Sequence, residues 1–304
     1  MMASPKNPAM RSRLLILLLH FLALLPVRAA RALGMGLGDL CWLIRGRMAQ
    51  TTLTNLALCF PDMDEAARKA LAKASLRHTF MTIAECGAVW LWPAPRALAL
   101  IRNVEGLDLL QSAHAAGRGV IILAPHLGNW ELTGLYLNSC GCGQNSHMFQ
   151  APDDPRLGKL IYDARSRSGS LLVPTDAKGV ATLLQALRRG EVIGILPDQV
   201  PPESGGEFAP LFGVPALTMS LACRLQQKTG ARILMTFARR ELDGDQGFTL
   251  VIREPERDIY AEHIPDALAA MNRSIEILMS GVPEQYQWEY KRFKRQPRGK
   301  QRPY

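Results

Sequence analysis

The 304-residue chain has no G-x-S-x-G turn, no G-x-x-x-x-G-K-S/T loop and no H-E-x-x-H helix. These absences remove the serine nucleophile elbow, the phosphate-cradling loop of nucleotide enzymes and the zinc peptidase helix. The six cysteines (Cys41, Cys59, Cys86, Cys140, Cys142 and Cys223) are scattered, and a chain of this length needs no disulfide staples. Cys140-Gly-Cys142 has no second Cys/His cluster beside it, and His20, His78, His114, His147 and His263 are dispersed. No metal and no cofactor are therefore expected. There is no internal repeat and no low-complexity linker. No nucleic-acid-binding module is present, so nucleic acid is not an expected partner. The apolar run over 14–27 falls short of the ~20 residues a helix needs to cross a bilayer alone.

What is present is ample apolar material, 48% of the residues, with 21% charged and a formal net charge of +9. A sizeable core can form, and the charge favours acidic partners such as phosphates or anionic lipid. Residues 1–13 carry Lys6, Arg11 and Arg13 without an acid. For the apolar run that follows, three readings compete: a cleaved signal peptide ending near Ala29, Ala30 and Ala32, a membrane anchor, or a buried helix. The anchor is favoured. Arg28 and Arg31 follow the run, and a second apolar stretch, 34–44, leads to Arg45 and Arg47. That pattern fits segments lying on or dipping into a bilayer, with arginines at the head groups. The cysteine usage also argues against export.

Residues 47–93 read as helical, with Asp62 or Asp64 capping the second helix. From about residue 98, strands and helices alternate. Strands are predicted over 99–104, 120–125, 146–150, 171–173, 192–196, 231–238 and 248–253. Helices are predicted over 106–116, from about Asn129, and over 155–167, 178–189, 217–229 and 259–279. The continuous apolar runs Val120–Pro125 and Val192–Leu196 read as strands buried on both faces. The expected fold is α/β, a mixed and largely parallel central sheet flanked by helices, with an N-terminal helical membrane-anchoring part. The expected division is an anchor over 1–45 and a catalytic domain over 46–304. Within that domain, 46–95 is helical, 96–290 is the α/β core and 291–304 is a basic tail. The tail has seven basic residues and no acid, a pattern that is usually solvated and can also meet anionic lipid.

The sharpest local signal is Ala124-Pro-His-Leu-Gly-Asn-Trp-Glu131. A buried strand ends at Pro125, and functional groups in open α/β sheets gather beyond the carboxyl ends of strands. Across the Gly-Asn turn, the Glu131 carboxylate can reach one nitrogen of His126, fixing its tautomer. The other nitrogen can then take a proton from a hydroxyl. The plainer reading is a structural histidine beside a helix start with a first-turn acid.

The H-x4-E spacing of His126 and Glu131 resembles the hallmark of the lysophospholipid acyltransferase superfamily. More specifically, the chain resembles the bacterial lipid A late acyltransferases. The resemblance runs through 55–61, 119–132, 189–192, Pro197-Asp-Gln199, Pro210-Leu-Phe-Gly213, Pro283-Glu-Gln-Tyr-Gln-Trp288 and Arg292-Phe-Lys294, in the family's order. It implies an acyltransferase on the cytoplasmic face of the inner membrane, close to an anionic lipid surface. The donor would be an acyl carrier protein thioester and the acceptor a lipid A precursor hydroxyl. It makes His126 the general base and Glu131 the group that orients it. Arg167, or alternatively Arg165, would hold acceptor phosphate or polarise the carbonyl, with a solvated helix end as the plainer reading. Asp198 would support the site or bind acceptor, and Asn129 is a further candidate for substrate binding. Gln199 stands where some relatives have histidine.

Overall fold

The computed structural model describes residues 8–244 and 247–304; Lys6 and the Arg11 side chain lie outside them. The chain opens with helices α1 (Pro8–Leu24), α2 (Val27–Ile44), α3 (Arg47–Cys59) and α4 (Glu65–Leu91). Asp64 is the cap of α4, accepting from the Ala67 N–H at 2.8 Å. Leu19 and Leu22 of α1 are buried, whereas Leu14, Leu17, Phe21 and Leu24 are exposed. Helix α2 lies directly on α4. Cβ atoms built at Gly34 and Gly38 would come within 2.8 Å of the Met81 backbone and 2.6 Å of the Arg77 backbone. Only glycine permits that approach. The outer side of α2 leaves Leu37, Leu40, Leu43 and Ile44 exposed. Among the described residues, no helix is long and apolar enough to cross a membrane.

The rest of the chain alternates α5 (Ala94–Leu98), β1 (Ile101–Glu105), α6 (Leu107–Ala115), β2 (Val120–Leu123), α7 (Trp130–Leu137), β3 (Asn145–Phe149), α8 (Pro155–Ser166), β4 (Leu171–Pro174), α9 (Ala177–Arg188) and β5 (Val192–Ile195). It continues with the β6 (Gly206–Leu211) and β7 (Val214–Met219) hairpin, α10 (Leu221–Thr229), β8 (Arg232–Arg240), β9 (Phe248–Arg253) and α11 (Ile264–Ser280). Seven strands form one sheet in the order β1-β9-β8-β2-β5-β3-β4. Every neighbouring pair is parallel except β8 with β9. The two apolar runs, β2 and β5, pair at its centre with every residue buried, as expected for strands covered on both faces.

The structure corrects three element assignments. Residues 206–219 form an antiparallel hairpin, and Leu217–Met219, expected to be helical, end its second strand. Pro210 and Pro215 face each other in that ribbon, and proline speaks against a strand on a sequence reading. The last helix starts at Ile264 rather than Ile259, with Pro265 in its first turn. The segment from 291 is also no free tail. Phe293 is buried, and the buried Arg292 donates to Leu217 O at 2.7 Å and Thr218 Oγ1 at 2.9 Å. The Tyr304 hydroxyl meets Asn55 Oδ1.

Candidate active site

Strand register determines what meets at the sheet's centre. Leu123 of β2 lies opposite Ile195 of β5, and the Ala124 N–H donates to Ile195 O at 3.0 Å. His126 and Asp198 each follow that pair by three residues, so they emerge side by side. Asp198 accepts twice from one residue: Oδ1 lies 2.8 Å from His126 Nδ1, and Oδ2 receives the His126 backbone N–H at 2.9 Å. Burial pushes the Asp198 carboxyl upward, but the His126 ring and N–H, helped by Arg292, outweigh it and hold the carboxyl below its ordinary range. With Asp198 ionised and accepting at Nδ1, the tautomer this contact favours has its proton on Nδ1 and a lone pair on Nε2. That lone pair faces the Gln199 side-chain amide, Nε2 to Nε2 at 3.1 Å. The Trp130 ring packs against the imidazole, with centroids 4.8 Å apart.

The loop carrying His126 is held on both sides. Gly128 N–H donates to Gln285 O at 3.0 Å, Asn129 N–H to Ala238 O at 2.9 Å, and Gln287 N–H to His126 O at 3.1 Å. Gly128 has a φ of +60°, and a Cβ there would stand 2.0 Å from Ala238 O. The glycine is therefore required for the turn to lie against β8.

Glu131 differs from its expected role. Its carboxylate does not contact the imidazole. It is clasped by Arg165, Nε to Oε2 at 3.0 Å and Nη2 to Oε1 at 2.5 Å. Burial raises the Glu131 carboxyl, and Arg165 more than reverses that. The carboxylate that orients His126 is Asp198, 72 residues away in the chain, and only the parallel register brings it there. Asp198, expected either to support the site or to bind acceptor, lies against His126.

Arg167 donates from Nη1 to Trp90 O at 2.9 Å and Ala164 O at 2.8 Å, and from Nη2 to Val89 O at 2.5 Å. It ties the ends of α4 and α8 together, so it is spent on backbone carbonyls and does not present itself to an acceptor. Asn129 is fully buried. Its Oδ1 accepts the Leu132 N–H at 3.3 Å, capping α7, and its Nδ2 donates to Glu85 Oε2 at 3.0 Å. It shapes the turn and has no face toward substrate.

Sequence reasoning missed the group behind Asn129. Glu85 is wholly buried between two buried arginines, with Arg31 Nε 2.6 Å from Oε1 and Arg240 bound through Nε (2.7 Å) and Nη2 (2.6 Å). Burial drives the Glu85 carboxyl up, and Arg240 and Arg31 drive it far below its ordinary value. Arg240 also reaches His78 Nδ1 at 3.0 Å and Thr82 Oγ1 at 2.6 Å. An isolated Glu in the apolar stretch Ile83-Ala-Glu-Cys-Gly-Ala was the available signal.

Beside His126 opens a narrow, mostly apolar cavity lined by Ile122, Trp130, Leu135, Met148 and Ile195, with Glu131 and Arg165 in its wall. Its lining is of the kind that buries apolar ligand surface. Among the described residues, no group of His, Cys, Asp and Glu is arranged to hold a metal ion.

Comparison with known proteins places the chain in one family. The family model described as bacterial lipid A biosynthesis acyltransferase matches residues 8–295. The chain is similar to the lipid A biosynthesis lauroyltransferase of Escherichia coli K12, 30% identical over 278 residues, covering 90% of this chain and 88% of that protein. It is equally similar to the palmitoleoyltransferase of the same organism, 30% over 277 residues with the same coverage. The myristoyltransferase of that organism is 27% identical over 267 residues, 85% and 80% of the two chains. Their names give different acyl groups, so degree of similarity does not select a chain length.

Proposed function

Because the chain belongs to the bacterial lipid A biosynthesis acyltransferase family and is an acyltransferase, we propose that it moves a fatty acyl chain from an acyl carrier protein thioester to a hydroxyl of a lipid A precursor. His126 is the general base of that transfer. The observation that carries this reading is the His126–Asp198 pair, whose imidazole packs on Trp130, a wall residue of the apolar cavity.

The acceptor hydroxyl takes the place of the Gln199 amide at His126 Nε2 and gives up its proton as its oxygen attacks the thioester carbonyl carbon. A C–O bond forms, the C–S bond breaks, and the proton passes from His126 to the departing thiolate. Asp198 holds Nδ1–H and favours the imidazolium that forms in between. Arg165 is the counter-charge for the carbonyl oxygen. Its Nε and Nη2 are engaged by Glu131, while Nη1 makes no hydrogen bond to protein among the described residues and the side chain lines the cavity. Glu131 acts through Arg165 as a positioning residue. The exposed leucines of α1 and α2 are the surface that would lie on the inner membrane at its cytoplasmic face, bringing an amphiphilic acceptor to the site.

The test is acyl transfer in detergent from a panel of acyl carrier protein thioesters to a sugar-linked lipid A precursor, read by mass spectrometry. One added acyl mass with the wild type, lost in His126→Ala, is the expected result. Undiminished transfer by His126→Ala would overturn the mechanism, and no transfer from any thioester would overturn the donor–acceptor assignment.

A further inference from the structure

Residues Arg47, Met48, Glu289, Tyr290, Lys291 and Lys294 line an open surface pocket of about 370 Å³ at the N-terminus of α3. We propose that this pocket is the acceptor's phosphate site, binding a phosphate monoester on the sugar head group. The proposal rests on the reading of the chain as an acyltransferase of a phosphorylated glycolipid.

Three observations carry it. The first is charge: three cations, Arg47, Lys291 and Lys294, line one pocket, and among the described residues none of the three is in a salt bridge with a carboxylate. Lys294 and Lys291 lie instead over the rings of Tyr290 and Tyr304, each at 5.1 Å. Glu289, the one carboxyl in the wall, accepts from Thr79 Oγ1 at 3.0 Å, and burial favours its neutral form. The second is the end of α3. Its cap residue, Gly46, supplies no side-chain hydrogen bond, so the first-turn N–H groups add positive potential at the same place.

The third is position. The Tyr290 hydroxyl receives the Val200 N–H at 3.0 Å, and Val200 follows Gln199, whose amide faces His126 Nε2. On its other side the pocket adjoins the turn after Leu43 and Ile44, two of the most exposed apolar residues. A phosphorylated sugar bearing acyl chains would thus place chains outward, phosphate in the pocket and a hydroxyl toward His126. Arg167, the residue expected to take this role, is occupied elsewhere.

The experiment compares a phosphorylated acceptor with its dephosphorylated twin, using the full-length enzyme in detergent. The triple variant Arg47→Gln/Lys291→Gln/Lys294→Gln is set against Lys178→Gln/Lys228→Gln, which removes charge from exposed positions on α9 and α10. The wild type and the control should prefer the phosphorylated acceptor. In the triple variant KM for that acceptor should rise, by roughly tenfold or more given the strength of charge-assisted hydrogen bonds. Its turnover of the dephosphorylated acceptor and its thermal midpoint should be unchanged. A preference that survives in the triple variant overturns the proposal, as does a rise in KM for the thioester donor alone, which would assign the cations to the donor's phosphopantetheine.

Equilibrium binding of the radiolabelled phosphorylated acceptor to the His126→Ala protein separates the two levels of the argument. Phosphate-dependent binding that falls in the triple variant upholds the pocket even where no acyl transfer is found. Binding that is unaffected removes the pocket while leaving the acyl-transfer reading intact.

Discussion

A carboxylate that accepts both the ring N–H and the backbone N–H of one histidine fixes that side chain twice, and Asp198 does this for His126. Asp198→Asn can donate where it must accept, so it should favour the wrong tautomer. We expect kcat to fall by roughly two to four orders of magnitude, the range general-base catalysis contributes, with the fold retained by circular dichroism. Glu131→Gln should act differently, loosening Arg165 without touching the imidazole. Its kcat should fall while the pH dependence of kcat/KM keeps the wild-type shape, and a changed profile would place Glu131 on the histidine after all. Two other histidines belong to stability. Burial, aided by neighbouring arginines, lowers His78 to about 3 and His147 to about 4. Both are neutral in the folded protein, whereas in the unfolded chain they titrate near 6.5. Between about pH 6.5 and 4 the unfolded state therefore binds more protons, so stability is fullest above 6.5 and declines as pH falls through that window. Thermal midpoints measured from pH 7.5 to 4.5 should fall, and His147→Gln should flatten the slope.

Between elements, the decisive contact is α2 on α4, made by glycines where α2 crosses and by Arg31 reaching Glu85. Gly38→Ala puts a methyl group against the Arg77 backbone and should cost about 1–3 kcal/mol, as overpacking does. Gly36→Ala on the same helix meets nothing within 4 Å and should be neutral or stabilise by about 0.5–1 kcal/mol through helix propensity. Urea denaturation of the two variants decides the point, and equal effects would mean that α2 does not pack as described. Glu85→Gln leaves two buried guanidinium groups without their charge partner and should cost about 3–5 kcal/mol. It should also lower activity, because the Asn129 amide that steadies the α7 turn must then compete with two guanidinium groups for one acceptor oxygen. Arg31→Met, which leaves Glu85 paired with Arg240, should cost less. These elements differ in how far the sequence revealed them. The runs Val120–Pro125 and Val192–Leu196 announced central strands because burial on both faces leaves an unbroken apolar record. The β6–β7 hairpin was hidden by Pro210 and Pro215. His126 was legible as a histidine at a strand end. Its carboxylate partner was assigned to the near neighbour Glu131, because linear spacing carries no information about which strand lies beside β2.

For the whole molecule, the question is what the outer side of the N-terminal helices does. Leu17, Leu43 and Ile44 are 65%, 77% and 68% exposed, and Arg28 of α2 and Arg45 in the turn after it are exposed as well. The net charge is +9. On our reading this side lies in the head-group region of a bilayer, with apolar side chains inserted and arginines at the phosphates. Two free-energy sources then act together and can be separated. Basic residues near an anionic surface contribute ~1 kcal/mol each and are screened by salt within a Debye length of about 8–10 Å. A buried Leu or Ile side chain contributes about 1.5–3 kcal/mol at full burial, and salt hardly weakens it. Leu17→Asn/Leu43→Asn/Ile44→Asn should therefore weaken partition into vesicles by roughly 100-fold or more, even if only part of that burial is realised. The loss should be similar at low and high salt. The folded protein should keep its thermal midpoint in detergent, since these side chains contribute little to the core. Vesicle flotation with zwitterionic and anionic lipid at two salt concentrations reads both terms. Salt should release the wild type only partly from anionic vesicles and scarcely at all from zwitterionic ones. Complete release by salt would leave the charge as the sole attachment, and undiminished flotation of the triple variant would remove α1 and α2 from the membrane altogether.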